Sequence, residues 1–296
     1  MSESLIQFTV AEGVAKIVLN RPDKMNSFIA PMHAALREAL DAVQADTAIR
    51  VLILTGAGRA FCAGQDLADD EMQFTPGEPP PDLGRVVERY YKPLVMQLSQ
   101  LRVPTIAAVN GVAAGAGASI AMACDLVVAS DKASFLIPFS KIGLIPDTGA
   151  SWHLPRAIGQ ARAMGLALTA RKLTAQQAAD WGLIWETVAD AAFDSHVLAL
   201  ANQLAVMPTR ALVETRAAIK SAGDRSLADH LSFEAEMMAR LGRSDDYIEG
   251  VAEFLELFFG GLVAGMPGIA DPVGQAIAAE TRKTHQVDVL CVVAMA

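Results

Sequence analysis

Apolar and polar positions alternate or run apolar over residues 4–10 and 14–20, on either side of Glu12 and Gly13, which predicts an antiparallel hairpin. Arg21, Pro22 and Asp23 break that pattern, and residues 30–46 then carry apolar positions at helical spacing. The run V-L-I-L-T from Val51 to Thr55 reads as a buried strand ending at G-A-G. A polar, Pro-rich stretch at about 68–83 predicts a mobile loop, followed by a helix over about 84–101. Next come a strand over Thr105–Val109, a small-residue helix from Gly115 and a strand over Asp125–Ser130. This alternation implies an α/β core with buried, largely parallel strands. After Trp152 the helical period dominates in segments 159–169, 174–181, 189–205, 208–222, 226–242 and 244–256, with one short strand near 184–188. The expected organisation is a core over residues 1–200, a helical region over 201–256 and an atypical tail over 257–296. That tail starts apolar and rich in helix breakers, and its last part has too weak a period to assign.

Composition narrows the class. A chain of 296 residues with 52% hydrophobic and 19% charged residues can fill a large core and is not disordered. A formal charge of −9, with Lys and Arg scattered, offers no footprint for a nucleic-acid backbone. Cys62, Cys124 and Cys291 lack C-x-x-C spacing, so neither a disulfide framework nor a structural zinc site is expected, and a reducing compartment is. His33, His153, His196, His230 and His285 show no metal spacing; His153 reads as a surface or capping residue. No signal peptide and no apolar run of membrane-spanning length is visible, so a soluble, cytoplasmic protein is expected.

Three segments could carry chemistry. F-C-A-G-Q-D-L (Phe61 to Leu67) follows a buried strand with small residues that let main chain approach a ligand; alone, it is also an ordinary turn with Asp66 as a cap. N-G-V-A-A-G-A-G-A-S-I (Asn110 to Ile120) leads a strand into a helix whose first amides favour negative charge, whether a phosphate or an enolate oxygen; close helix packing explains the same residues. The dinucleotide fingerprint fails at Ile120, and no Gly-Lys-Ser/Thr of a P-loop occurs. S-K-I-G-L-I-P-D-T-G-A-S-W (Ser140 to Trp152) sets Asp147 before a helix, either as an N-cap or as a carboxylate in an apolar pocket able to exchange protons. Phe139, Leu144, Ile145 and Trp152 would wall such a pocket. No Gly-x-Ser-x-Gly elbow supports a serine triad.

In this order, the three segments resemble the crotonase (enoyl-CoA hydratase/isomerase) superfamily over about residues 5–256. The resemblance implies an α/β spiral of β-β-α units, a helical C-terminal trimerisation region, an acyl-CoA substrate and a homotrimer or dimer of trimers. It implies no cofactor besides the coenzyme A that belongs to the substrate, and neither a nucleic-acid nor a membrane partner. By position it assigns an oxyanion hole to the main-chain N–H groups of Gln65 and Ala116, whose side chains are expected to matter little. It assigns substrate and CoA contacts to Lys24, Met25, Ala63, Gly64, Asp66, Leu67, Gly115, Ser119 and Phe139. Hydratases of the family carry glutamates where this chain has Ser119 and Phe139, so hydration by a carboxylate pair is not expected. Asp147 falls where dienoyl-CoA isomerases and chlorobenzoyl-CoA dehalogenases keep an essential aspartate. The text around D-L-G-R-V-V-E-R-Y-Y-K-P-L and F-S-K-I-G-L-I-P-D is most similar to the ring-1,2-epoxyphenylacetyl-CoA isomerases of phenylacetate breakdown, which form an oxepin thioester and also shift double bonds. Asp147 is therefore expected as the proton-transfer residue. The alternatives are hydratase-like or aryl-CoA dehalogenase-like activity, or a CoA-binding member without catalysis. The family ends in a basic pair near Phe254; Leu257 and Phe258 stand there instead, from either an altered reading frame or a genuine extension.

Overall fold

Glu12 and Gly13 both take positive φ (51° and 79°), as a tight two-residue hairpin requires, and they join β1 (Ile6–Ala11) to β2 (Val14–Leu19) in antiparallel register. The structure, a computed structural model, describes residues 4–73, 77 and 79–252. After α1 (Ala30–Ala45) comes β3 (Val51–Gly56), buried along its whole length, and then the short β4 (Ala60–Cys62). The helix expected over 84–101 is built from α2 (Leu83–Val86), a π turn over Val87–Tyr91 and α3 (Lys92–Gln100). β5 (Thr105–Val109) and β6 (Val112–Ala114) lead into α4 (Ala116–Ala123), and β7 (Leu126–Ser130) and β8 (Ser134–Leu136) into α5 (Ala150–Thr169). β9 (Leu173–Thr174), α6 (Ala175–Asp180), β10 (Glu186–Val188), α7 (Phe193–Val206) and α8 (Thr209–Ser221) follow.

The strands form two sheets. The larger has the order β1-β2-β3-β5-β7-β10 and is parallel from β2 onward; the smaller is β4-β6-β8-β9. Strands β3, β5 and β7 of the first sheet are each followed by a short strand of the second and then a helix, the β-β-α turn of the expected spiral. Strands β3 and β5 are buried on both faces, which is why they read as continuous apolar runs. On one face Leu36, Leu40, Phe61 and Leu98 pack into the main core; on the other, Phe193, Val197 and Ala201 of α7 cover Val51, Ile53 and Ile106. Arg216 ties α8 down by donating to Val103 O (3.2 Å) and to the Asp125 carboxylate (3.0 Å).

Two expectations change. Helix α5 begins at Ala150, as the reading of Asp147 before a helix implied, and not near residue 159, where the periodic segment was placed; Gly159 (φ 76°, ψ 160°) splits it and hides its first half from a periodicity reading. The second sheet was not read from the pattern at all, since its strands are two or three residues long. A 3-10 turn (Asp70–Met72) occupies part of the expected 68–83 loop, of which residues 74–76 and 78 lie outside the described residues. The compact unit runs to Ser226; a second begins at Leu227 with α9 (Leu227–Leu241), and residues 245–252 are helical. The tail over 257–296, with Cys291 and His285, lies outside the described residues.

Candidate active site

The three segments meet at a cavity of about 370 Å³. Its first wall follows β4. Phe28 N donates to Gly64 O (2.7 Å) and Asp66 N donates to Phe28 O (2.9 Å). The Gln65 N–H points opposite to the Gly64 carbonyl in a trans peptide, so it faces away from Phe28. Gly64 has φ +94°, and a Cβ there would stand 3.0 Å from Ala114 O and 3.2 Å from Ala116 N. Only glycine allows both the angle and this approach. The second wall is the start of α4, capped by Gly115 at φ 53°, ψ −128°. Ala116, the first helical residue, has an amide with no partner inside its helix. Two main-chain donors on adjoining segments thus border one cavity, with Ala63, Gly64, Gln65, Leu67, Gly115 and Ala116 in its lining.

Asp147 is the one carboxylate in that lining, among the described residues. It is not a side-chain N-cap: Gly149 caps α5, and Asp147 Oδ1 accepts from the Thr148 hydroxyl at 2.9 Å. Thr148 is buried with φ 54°, an unfavourable angle for a β-branched residue, so the turn that presents the carboxylate is strained. Burial pushes the Asp147 pKa above the usual aspartate range, and the Thr148 hydrogen bond works the other way. Phe139 and Leu144 wall the cavity as expected. Ile145 and Trp152 do not. Ile145 is 80% exposed, and Trp152 lies within α5 and borders a different cavity with His153 and Arg156. Met72, Leu83, Val86, Val87 and Ile142 supply the apolar surface instead.

Four expected contact residues are not in the lining. Ser119 is fully buried, and its hydroxyl donates to the main-chain Asp147 O at 3.2 Å. Asp66 pairs with Arg21 (3.0 Å) and accepts from Ala68 N within a turn; it does not cap a helix, since the 3-10 turn that follows has Asp69 at its N-cap. Met25, left-handed at φ 48°, holds Ala63 N through its carbonyl (2.9 Å), and Lys24 is exposed beside it. Asn26, fully buried, locks this loop by donating to Ala57 O and Ala60 O.

Tyr91 and Lys141 border the cavity without having been singled out. Tyr91 is 2% exposed and its hydroxyl donates to Gln65 Oε1 at 2.7 Å. Burial, then the nearby Cys62, Asp147 and Asp69, holds its pKa well above the usual phenol value. The Gln65 side chain is therefore engaged, against the expectation that only its main chain matters. Cys62 is buried with a thiol pushed up to about 12, so it is no nucleophile, and burial lowers His33 to about 4. Among the described residues no cluster of His, Cys, Asp and Glu could hold a metal ion, and no helix is long and apolar enough to cross a membrane.

Comparison with known proteins places this site in context. The enoyl-CoA hydratase/isomerase family model matches residues 9–258. The chain is 51% identical to the 1,2-epoxyphenylacetyl-CoA isomerase of Escherichia coli (strain K12), over 83% of this chain and 93% of that protein. It is 37% identical to a 4-chlorobenzoyl coenzyme A dehalogenase of an Arthrobacter species, over 73% of this chain and 78% of that one. The crystal structure of an enoyl-CoA hydratase from Bacillus anthracis superposes with a TM-score of 0.79 at 30% identity, covering 86% of this chain and 96% of the other.

Proposed function

Because this chain belongs to the enoyl-CoA hydratase/isomerase family, we propose that it isomerises acyl-CoA thioesters, converting ring-1,2-epoxyphenylacetyl-CoA to its oxepin isomer and shifting double bonds in unsaturated acyl chains. The observation that carries this reading is Asp147, the one lining carboxylate among the described residues, with Ser119 and Phe139 where hydratases of the family carry their glutamates. A single carboxylate can take a proton from one carbon and return it to another. Holding and splitting a water is work for two.

In this mechanism the Gln65 and Ala116 N–H groups donate to the thioester oxygen and acidify the α-carbon. One such donor is worth about 3–4 kcal/mol of transition-state stabilisation. The ionised Asp147 takes the α-proton, negative charge moves onto the thioester oxygen, and the protonated Asp147 delivers the same proton to the carbon that gains it. In the epoxide reaction the ring electrons drive the expansion while Asp147 assists proton movement. Ala63, Gly64, Leu67, Gly115 and Phe139 enclose the acyl and pantetheine parts, and Lys24, Met25, Asp66 and Ser119 support that surface. Coenzyme A is part of the substrate, no further cofactor takes part, and the protein works as a cytoplasmic trimer or dimer of trimers.

An activity panel of epoxyphenylacetyl-, 3-enoyl- and 2-enoyl-CoA tests the proposal. Turnover of the first two without hydration of the third is expected; hydration of the 2-enoyl thioester alone would reject it. A second reading, with Asp147 as nucleophile on an aryl-CoA ring, draws on the dehalogenase relative. Oxygen-18 entering the Asp147 carboxylate in a single turnover would favour it.

A further inference from the structure

Gln65 carries one of the two amides proposed above to hold the thioester oxygen, and its side chain is gripped at both ends. The Tyr91 hydroxyl donates to Gln65 Oε1 at 2.7 Å, and Gln65 Nε2 donates to Asp69 Oδ2 at 3.2 Å. The same Asp69 oxygen accepts from Ala30 N at 3.1 Å, the first helical residue of α1, whose own N-cap, Ile29, offers no side-chain acceptor. A hydrogen-bonded chain therefore runs from the π turn, across the segment after β4, to the start of α1.

That segment needs the restraint. Its main chain is held through Phe28 at Gly64 O and at Asp66 N, and Gly64 stands at φ +94°, an angle that its lack of a side chain permits but does not by itself fix. The peptide plane bearing the Gln65 N–H is pinned at its carbonyl by Phe28 N, and the Gln65 side chain adds a second point of restraint on the amide side. Tyr91 supplies the tether and has nowhere else to go. Its ring is edge-on to His33 (4.7 Å) and Phe28 (6.2 Å). The π turn over Val87–Tyr91 adds one residue to that stretch of helix and so rotates Tyr91 by about 100° relative to a regular helix.

We propose that Tyr91, acting through the Gln65 side chain, is a positioning residue that sets the direction of the Gln65 N–H; this rests on the acyl-CoA reading above. Tyr91 touches no reacting atom in this scheme. It keeps one of two main-chain donors aimed at the place where the oxyanion forms.

Two variants test it: Tyr91→Phe, which removes only the hydroxyl, and Gln65→Met, which keeps the main-chain amide and loses both side-chain bonds. Turnover of a 3-enoyl-CoA, the infrared carbonyl stretch of a bound thioester labelled with carbon-13, and the thermal midpoint are read for each. Misdirecting one donor should lower kcat by about 10- to 100-fold, with KM little changed. The carbonyl stretch should move back toward that of the free thioester. The double variant should lose no more than the worse single one, because both residues act on the same peptide plane. Wild-type kcat and carbonyl stretch in Tyr91→Phe, with only the thermal midpoint lowered, would make the contact structural and overturn the inference. A fall in kcat with the stretch unmoved would overturn it too, by putting Tyr91 on Asp147 or on the substrate. If the wild-type protein turns the substrate over without lowering the stretch, the oxyanion pair fails and this inference falls with it; if it turns over no thioester yet lowers the stretch, only the isomerase reading fails.

Discussion

At the scale of single residues, Asp147 decides the chemistry. Asp147→Asn keeps the shape and the Thr148 hydrogen bond but removes the base, so isomerisation should fall by about 10²–10⁴-fold. Binding of an unreactive saturated acyl-CoA, measured by calorimetry, should be nearly unchanged; unchanged turnover would take the aspartate out of the mechanism. The raised pKa also fixes two pH dependences. The base must be ionised, so the acid limb of kcat/KM should lie above the ordinary aspartate value of 3.8. Folding runs the other way. A carboxylate with its folded pKa above its unfolded one binds protons more tightly in the native state, so the wild-type protein gains stability from this group as pH falls. At neutral pH the ionised form is a cost that Asn removes. Thermal unfolding should therefore show Asp147→Asn more stable than wild type at pH 7, with the difference fading as Asp147 protonates. A less stable variant at pH 7 would mean that the carboxylate is not in an apolar cleft. The segments that hold Gln65, Ala116 and Asp147 stand out in the sequence by their small residues and proline, while the expectation that the Gln65 and Ala116 amides act as donors came from the family resemblance. Tyr91 has no such mark. It stands next to Tyr90, and only the π turn decides that Tyr91 meets Gln65 while Tyr90 donates to Glu71. A one-residue insertion shifts the hydrophobic period by about 100°, but the pieces on either side, four and nine residues long, are too short for the shift to be read.

At the scale of elements, the site depends on how closely α4 lies on β4. A Cβ on Gly117 would stand 2.2 Å from Cys62 O and 2.7 Å from Cys62 Cβ, with main chain that has no flexible end to move aside. Gly117→Ala must therefore push β4 and α4 apart. Overpacking of this kind costs about 1–3 kcal/mol, and the displaced segment carries Ala63, Gly64 and Gln65. Urea unfolding should show the loss of stability, and turnover per folded molecule should fall as well; full stability in the variant would mean that the contact is looser than described. The sequence displayed half of this layer. Strands β3, β5 and β7 are long enough for an apolar run to stand out, and α1 is long enough for its period. Strands β4, β6 and β8 have three residues each, too few for alternation to differ from chance. They were legible only through the family resemblance. The first half of α5 was lost for another reason, the break at Gly159, and with it went the placing of Trp152, which stacks under Arg156 at 3.9 Å rather than walling the site.

At the scale of the whole molecule, α9 carries apolar side chains that water does not favour. Leu227, Leu231 and Met238 are 76%, 54% and 69% exposed. At 100° per residue they fall within an arc of about 40°, a stripe about 16 Å long on one side of the helix. Of the residues of α9, only Met237 is buried. Among the described residues this stripe is uncovered, and it is the surface that the proposed assembly would use. Copies of the same stripe are self-complementary, and a three-fold arrangement, the assembly proposed here, lets each helix meet two others. Light scattering after gel filtration should then give about 94 kDa, three chains of 31.3 kDa, or twice that for paired trimers. The variant Leu231→Glu with Met238→Glu places two carboxylates on the stripe and should shift the mass toward a single chain. Its circular dichroism should stay close to wild type, because neither side chain is buried among the described residues. A double variant that keeps the wild-type mass would move the interface elsewhere; a wild-type protein that elutes as a single chain would leave the stripe without the covering that its exposure calls for.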